Sequence, residues 1–271
     1  MNGFMESKYM NITMNLRPSK VLRKLRNGEV VNCFNVHFDP QVTDMAGMAG
    51  FDCVWIDNEH LAQDWSSLRM HIWAAKSNDM DVMVRVSRGG YSDYIKPLEM
   101  DATGIMVPHI MGIDDARKIV QMTRFHPIGR RPLDGGNADG GYATLDYADY
   151  LPQANRERFV IVQIEDPEPL GDLDDIAALD GIDMLFFGPA DFSQGIGAPG
   201  KWDHPKLLDA RKRVSEVARK HGKFAGTTVN INNLDELMEL GYKFINIGAD
   251  VIGVGAYCKQ LMKGFSKKIE E

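Results

Sequence analysis

A closed (β/α)8 TIM barrel in one domain is the architecture this sequence predicts, and three observations lead there. Between residues 30 and 247, apolar runs of strand length alternate with segments of helical spacing, and no linker interrupts them. The run at residues 159–164, FVIVQI, is apolar almost throughout, as a strand covered on both faces of a parallel sheet requires. The chain has 271 residues, close to the length of single-domain barrels, and eight strand-helix units favour closure over an open doubly wound sheet. We therefore expect an N-terminal extension over residues 1–20 and the barrel over residues 21–271.

The elements follow in order. Residues 30–38 are the first strand, and residues 43–49 a short helix ending at Gly50. Residues 51–56 and 65–75 are the second strand and its helix. The third strand covers residues 82–86, with a helix near 94–100. Residues 105–107 are the fourth strand. The helix after it, residues 114–124, carries Ala116, Ile119, Val120 and Thr123 at helical spacing.

Strands five and six are residues 159–164 and 184–187. Between them Leu173, Ile176, Ala177 and Leu179 recur at helical spacing, and a right-handed crossover makes the two strands parallel. A long helix at 207–220, a seventh strand at 224–229, a helix at 234–240 closed by Gly241, and an eighth strand at 244–247 complete the repeat. Two segments fall outside it. Residues 129–146 have four glycines between Gly135 and Gly141 and no periodicity. They read as a mobile connector, with a lid or a subunit contact as the other reading. Residues 254–268 form a last helix on which Tyr257, Leu261 and Phe265 recur every four residues.

Composition narrows the function. The 31 basic and 38 acidic residues give a formal charge of -7, with no basic stripe, which argues against a nucleic-acid or acidic-membrane partner. Cys33, Cys53 and Cys258 show no CxxC spacing and are odd in number, so neither a disulfide framework nor a thiolate metal site is expected, and a reducing cytoplasm fits. The first twenty residues lack a continuous apolar stretch and nowhere do eighteen apolar residues run together, so no export signal or membrane span is expected. Gly248, Gly253 and Gly255 do not make a dinucleotide fingerprint.

The chemistry concentrates where strands five and six end. Glu165 and Asp191 leave the sheet at the same edge. Two carboxylates there can share one hard divalent cation, or they can simply cap the helices that follow; position alone leaves both readings open. A Schiff-base mechanism would need a lysine at the barrel mouth. Lys223 and Lys243 precede their strands, at the opposite end. His37, His109 and His126 are rim histidines with no special claim. Arg85 lies inside an apolar strand, MVRV, where a guanidinium needs an anionic partner: either a bound anion or a core carboxylate.

The wording VQIE followed by GPADFS resembles the HpcH/HpaI family of metal-dependent aldolases, part of the phosphoenolpyruvate/pyruvate barrel superfamily. Ile56-Asp57-Asn58-Glu59-His60 is similar to that family's IDxEH, Val84-Arg85 to its arginine strand and Met106-Val107-Pro108 to its VP strand end, in the same order and across residues 20–265. The resemblance implies that Glu165 and Asp191 hold Mg2+, Mn2+ or Co2+, that His60 is the general base, and that Arg85 steadies the enolate. It further implies that Glu99 supports the histidine, with Asp101 as the other alignment. Gln163 and the turn Gly188-Pro189-Ala190-Asp191 would hold the ketoacid, although a core glutamine bonded to the next strand is the other reading for Gln163.

The implied activity is cleavage or formation of a carbon–carbon bond between pyruvate and an aldehyde, on 4-hydroxy-2-ketoacids. A decarboxylase or acyl-CoA lyase using the same enolate, and a barrel that binds metal and ketoacid without turnover, are the alternatives. Thr228, at the end of strand seven, would line a polar aldehyde pocket unless Thr227 and Thr228 both turn into the barrel wall. A homo-oligomer is implied, plausibly a hexamer, whose protomers exchange the last helix.

Overall fold

Alternation along eight short strands sorts the side chains of this chain into two cores, one inside the barrel and one between barrel and helices. The structure, a computed structural model, describes residues 16–61 and 63–270. The strands are β1 (Val31–Val36), β2 (Cys53–Asp57), β3 (Asp81–Arg85), β4 (Gly104–Val107), β5 (Phe159–Ile164), β6 (Met184–Phe187), β7 (Phe224–Thr228) and β8 (Phe244–Ala249). All pair in parallel and in chain order, and β8 returns to β1, with Val31 opposite Phe244, to close the (β/α)8 barrel.

The helices are α1 (Lys20–Arg26), α2 (Pro40–Met48), α3 (Trp65–Ser77), α4 (Tyr91–Glu99), α5 (Ile113–Thr123), α6 (Tyr147–Glu157), α7 (Leu173–Ala178), α8 (Pro189–Gly195), α9 (Pro205–Lys220), α10 (Leu234–Leu240) and α11 (Asp250–Glu270). The sequence reading anticipates all but three. Among these, α1 is capped by Ser19, whose hydroxyl accepts the Leu22 amide at 3.0 Å. α6 carries Pro152 in its interior, which hides its helical character. The third, α8, is a two-turn helix started by Pro189.

Outward-facing Val54, Ile56, Val84, Ile105, Val162 and Leu185 are buried beneath the helices. Inward-facing Cys33, Cys53, Met83, Met106, Phe159, Met184, Phe186 and Phe244 fill the lower barrel. Burying side chains of this size stabilises by about 1.5–3 kcal/mol each relative to exposure. Space for the phenylalanines comes from two glycines: a Cβ on Gly104 would sit 2.0 Å from the Phe159 ring, and one on Gly226 2.8 Å from the Phe186 ring. Further up, the inward positions turn polar, with Asn35, Asp57, Arg85, Gln163 and Asn246 all buried. This change of character sets the site at the carboxyl-terminal mouth.

α1 plugs the amino-terminal end with Val21, Leu22 and Leu25. Just before it, the Ser19 hydroxyl donates to Asp81 at 2.7 Å and Arg17 pairs with Asp81 at 2.8 Å. The extension expected over residues 1–20 lies outside the described residues as far as residue 15, and residues 16–19 are already tied to the barrel.

The loop at residues 129–146 departs from its reading as a mobile connector. It follows α5 and therefore lies at the amino-terminal end, so within one chain it cannot be a lid on the mouth. It is also pinned. The buried carboxylate of Asp101 accepts the amides of Ala138 and Asp139 at 3.2 and 3.0 Å, and Asp139 pairs with Arg158 at 2.6 Å. The glycines serve a close backbone crossing, since a Cβ on Gly140 would meet the Gly135 carbonyl at 2.5 Å.

The last helix starts at Asp250, four residues before its expected beginning, and its apolar residues Ile252, Tyr257, Leu261, Met262 and Phe265 are all exposed. No helix among the described residues is long and apolar enough to cross a membrane.

Candidate active site

Two adjacent strand ends supply the centre of the mouth. β5 presents Gln163 inward and ends just before Glu165; β6 ends at Phe187, and Gly188 leads into α8, which starts with Pro189 and brings Asp191 into its first turn. Glu165 is fully buried. Its Oε1 accepts the backbone amide of His109 at 3.0 Å and its Oε2 accepts the Gln163 side-chain amide. Gly188 is obligatory, because a Cβ there would lie 2.7 Å from Glu165 Oε2 and 2.9 Å from Gln163 Nε2. Burial raises the Glu165 pKa to about 7; the nearby His109 opposes the rise, and the charges of Asp191 and Glu59 add to it.

The Gln163 Oε1 is buried without a hydrogen-bond partner among the described residues, so this glutamine is tied to Glu165 rather than to a neighbouring strand. One ligand atom each from Glu165, Asp191 and His109 lie within 4.8 Å of one another. Two carboxylates and an imidazole, with a buried carboxyl held among like charges and an orphaned amide oxygen beside it, form a donor set that fits a divalent cation.

Along the same mouth, Arg85 at the end of β3 clamps Asp57 at the end of β2. Nε and Nη2 lie 2.9 and 2.5 Å from the two carboxylate oxygens. Burial works against the Asp57 charge, but the Arg85 hydrogen bonds and charge outweigh it and hold the carboxyl below the usual range. The anionic partner of Arg85 is thus a core carboxylate, the alternative its sequence setting leaves open. Nη1 lies 3.1 Å from Glu59 Oε2, and the guanidinium stacks 4.8 Å from the Trp55 ring centre.

His60 stands on the loop after β2 with 60% of its side chain exposed, Nε2 being 3.5 Å from Glu59 Oε2. Thr228 ends β7 with its side chain exposed, whereas Thr227 turns into the wall and donates to the Phe187 carbonyl at 2.9 Å. Ala190 is exposed at the start of α8.

Glu99 is a correction. It is the last residue of α4, and helices of this fold run back against the strands, so it lies at the amino-terminal end of the same chain. Arg131 holds its carboxylate at 2.6 and 3.0 Å. Within one chain the structure does not bring Glu99 to His60. Asp101, the alternative, is committed to the loop at residues 129–146.

Sequence reasoning underrated His109 and passed over Asp166 and Glu59. His109 follows the Val107-Pro108 end of β4 and has a left-handed backbone, φ 47°. Its Nδ1 lies 2.8 Å from Asp166 Oδ2 and 3.7 Å from Glu165 Oε1, and its Nε2 lies 3.6 Å from Glu59 Oε1. Burial disfavours its protonation, yet the Asp166 hydrogen bond and the charges of Glu165, Asp166 and Glu59 raise its pKa above the ordinary value. Glu59 links the Arg85 pair to this group, within 3.6 Å of Arg85, His60 and His109. The available signal was positional: a histidine placed directly after a strand end, in the layer that holds Glu165.

The chain is similar to known proteins over nearly its whole length. A sequence model described as HpcH/HpaI aldolase/citrate lyase matches residues 31–254. A 5-keto-4-deoxy-D-glucarate aldolase of Enterobacter sp. (strain 638) is 27% identical over 252 residues, covering 92% of this chain and 98% of its own. Among solved structures, the citrate synthase SbnG superposes with a TM-score of 0.84 at 28% identity, covering 93% of this chain and 99% of its own. An HpcH/HpaI aldolase/citrate lyase family protein from Burkholderia cenocepacia J2315 gives a TM-score of 0.84 at 27% identity, covering 92% and 99%. With the match spanning the barrel from its first strand to the start of its last helix, the chain belongs to the HpcH/HpaI aldolase/citrate lyase family and is a carbon–carbon lyase.

Proposed function

We propose that this protein is a class II, metal-dependent aldolase that cleaves 4-hydroxy-2-ketoacids to pyruvate and an aldehyde, and joins them in reverse. The observation that carries the reading is the convergence of Glu165 and Asp191 at neighbouring strand ends, their donor atoms within 4.8 Å of each other and of His109. Glu165 and Asp191 would hold Mg2+, Mn2+ or Co2+, which supplies Lewis-acid polarisation of the ketoacid oxygens worth several kcal/mol. The kinship with 5-keto-4-deoxy-D-glucarate aldolases supports the substrate class.

The chain's own residues divide the remaining work. Gln163 and the amides of Ala190 and Asp191 orient the ketoacid, in space that Gly188 leaves open. In cleavage, His60 takes the proton of the 4-hydroxyl, the bond between C3 and C4 breaks, its electron pair stays on C3 as the pyruvate enolate, and the aldehyde departs. Arg85, braced by Asp57, directs its guanidinium edge toward the oxygen on which negative charge develops. Return of the proton held by His60 to C3 completes pyruvate and resets the base. Thr228 offers its exposed hydroxyl to the aldehyde half. Lys223 and Lys243 bond the carbonyls of Leu179 and Gly28 at the far end of the barrel, which supports catalysis without a Schiff base. Glu99 has no part in this reading within one chain.

The active form in this reading is a homo-oligomer, plausibly a hexamer, with α11 exchanged between protomers. The three cysteines are free, which accords with a cytoplasmic setting. Release of pyruvate from a panel of 4-hydroxy-2-ketoacids, coupled to lactate dehydrogenase, tests the activity. Turnover that stops in EDTA and returns with Mg2+, Mn2+ or Co2+ is expected; a covalent pyruvate adduct after borohydride reduction overturns the reading.

A further inference from the structure

We infer that the cavity between α4 and α5 is a second ligand site, separate from the barrel mouth, and that it takes a small monocarboxylate with a branched or aromatic body. The cavity has a volume of about 430 Å³. That lies within the range of about 300–1,000 Å³ typical of small-molecule sites. Its lining joins Val107, which faces outward from β4, to Tyr94 of α4 and to Ile119 and Met122 of α5. It is therefore outside the barrel, and Glu165, Asp191, Arg85 and His60 take no part in it.

The first sign of a ligand is Tyr94. Its side chain is only 6% exposed, yet its hydroxyl has no hydrogen-bond partner among the described residues. A buried hydroxyl left unpaired is costly, and one that borders a cavity can be satisfied from it. Burial raises the Tyr94 pKa, the charge of Arg88 opposes the rise, and the charges of Asp115 and Asp93 add to it, so the group stays a neutral donor.

The second sign is charge. The exposed members of the lining, Arg88 and Lys118, stand at the entrance with one carboxylate between them. Arg88 Nη2 lies 3.1 Å from Asp115 Oδ2, and Lys118 Nζ lies 3.9 Å from its Oδ1. The Met111 amide donates to the same Oδ2 at 3.1 Å. Two cations thus share a carboxylate that a backbone donor already engages, and the entrance is left with positive charge and free donors. An apolar body for Val107, Ile119 and Met122, a negative charge for the entrance and an acceptor for the Tyr94 hydroxyl are all supplied by a small apolar carboxylate. The site also reaches the mouth through the main chain. Pro108 and Ile110 belong to the lining, and His109 between them donates its amide to Glu165 at 3.0 Å. A ligand packed on those two residues touches the segment that supports the buried carboxylate without entering the mouth.

Isothermal titration of the full-length protein with isovalerate and with phenylacetate tests the site, with isoamyl alcohol as the uncharged counterpart. Both carboxylates should bind saturably, the alcohol about tenfold more weakly, and saturating pyruvate with Mn2+ should leave the carboxylate affinity unmoved. Tyr94→Phe should weaken the carboxylates by about tenfold, as loss of a hydrogen bond to a charged group does. Met122→Trp, which fills the space, should abolish binding while circular dichroism shows the fold intact. Absence of saturable binding by the wild type, displacement by pyruvate, an alcohol that binds as well as the acid, or an affinity unchanged in Tyr94→Phe overturns the inference. The wild-type titrations and the pyruvate competition decide even if a variant folds poorly.

Discussion

The Arg85 guanidinium grips the Asp57 carboxylate through two bonds of 2.9 and 2.5 Å, joining the ends of β3 and β2 beneath Glu59. The pair is buried, so its partners cannot be separated cheaply. Asp57→Ala should lower the unfolding free energy by about 3 kcal/mol, because the buried guanidinium loses its two-pronged partner and keeps only the single contact to Glu59. Urea melts of the two proteins measure it.

Arg85→Lys separates a clamp from a catalytic group. An ammonium can meet Asp57 but cannot also present a planar edge toward Glu59 and the mouth. We expect kcat to fall by about two orders of magnitude, with a smaller loss of stability than in Asp57→Ala. A kcat within twofold of wild type would confine Arg85 to the structural role.

At Gly188 the prediction is steric. An added methyl would fall 2.7 Å from Glu165 Oε2 and 2.9 Å from Gln163 Nε2. Gly188→Ala should therefore weaken Mn2+ binding and raise the KM for the ketoacid while the fold survives. Titration and circular dichroism of the variant check both halves.

Acid sensitivity should come in part from His71. This side chain is fully buried between α2 and α3, bonded through Nδ1 to Thr43 at 2.7 Å, and burial pushes its pKa down to about 4. Its stabilising contribution is complete above the ordinary value near 6.5 and is lost as the pH falls toward 4, on the order of 3 kcal/mol at about 1.4 kcal/mol per unit. Glu165 acts in the opposite sense, since its raised pKa weakens the fold as the pH rises through about 7. The difference between wild type and His71→Gln isolates the histidine: urea midpoints at pH 7 and 4.5 should draw closer together in the variant.

The exposed apolar residues of α11 carry the oligomer prediction. A 21-residue helix that leaves Tyr257, Leu261 and Phe265 in solvent presents an apolar stripe not covered by the described residues. Removing the residues after Gly253 should give smaller and less stable species by light scattering, and an intact full-length monomer would contradict the assembly.

Much of this was legible in the sequence, for reasons visible residue by residue. Residues 159–164 and 184–187 are continuous apolar runs bounded by polar residues, so β5 and β6 were read at their observed limits and Glu165 and Asp191 followed at the mouth. α6 was not legible, because Pro152 breaks the local signal, and the helix is held by packing of Tyr150 and Ala154 against Phe125 and Leu16. Glu99 was misplaced because a linear match cannot say at which end of a barrel a helix-terminal residue falls. His109 was underrated for a related reason. Its partners Glu165 and Asp166 are 56 and 57 residues away, and a lone histidine acquires meaning only when the barrel closes.

Deuterium incorporation into the methyl group of pyruvate, followed by proton NMR in heavy water, tests the central claim most directly, because it reads enolate formation without an aldehyde. With Mg2+ or Mn2+ the wild type should exchange the methyl protons, and the exchange should disappear in EDTA and in Glu165→Ala. Undiminished exchange in excess EDTA, or in Glu165→Ala, would contradict the account.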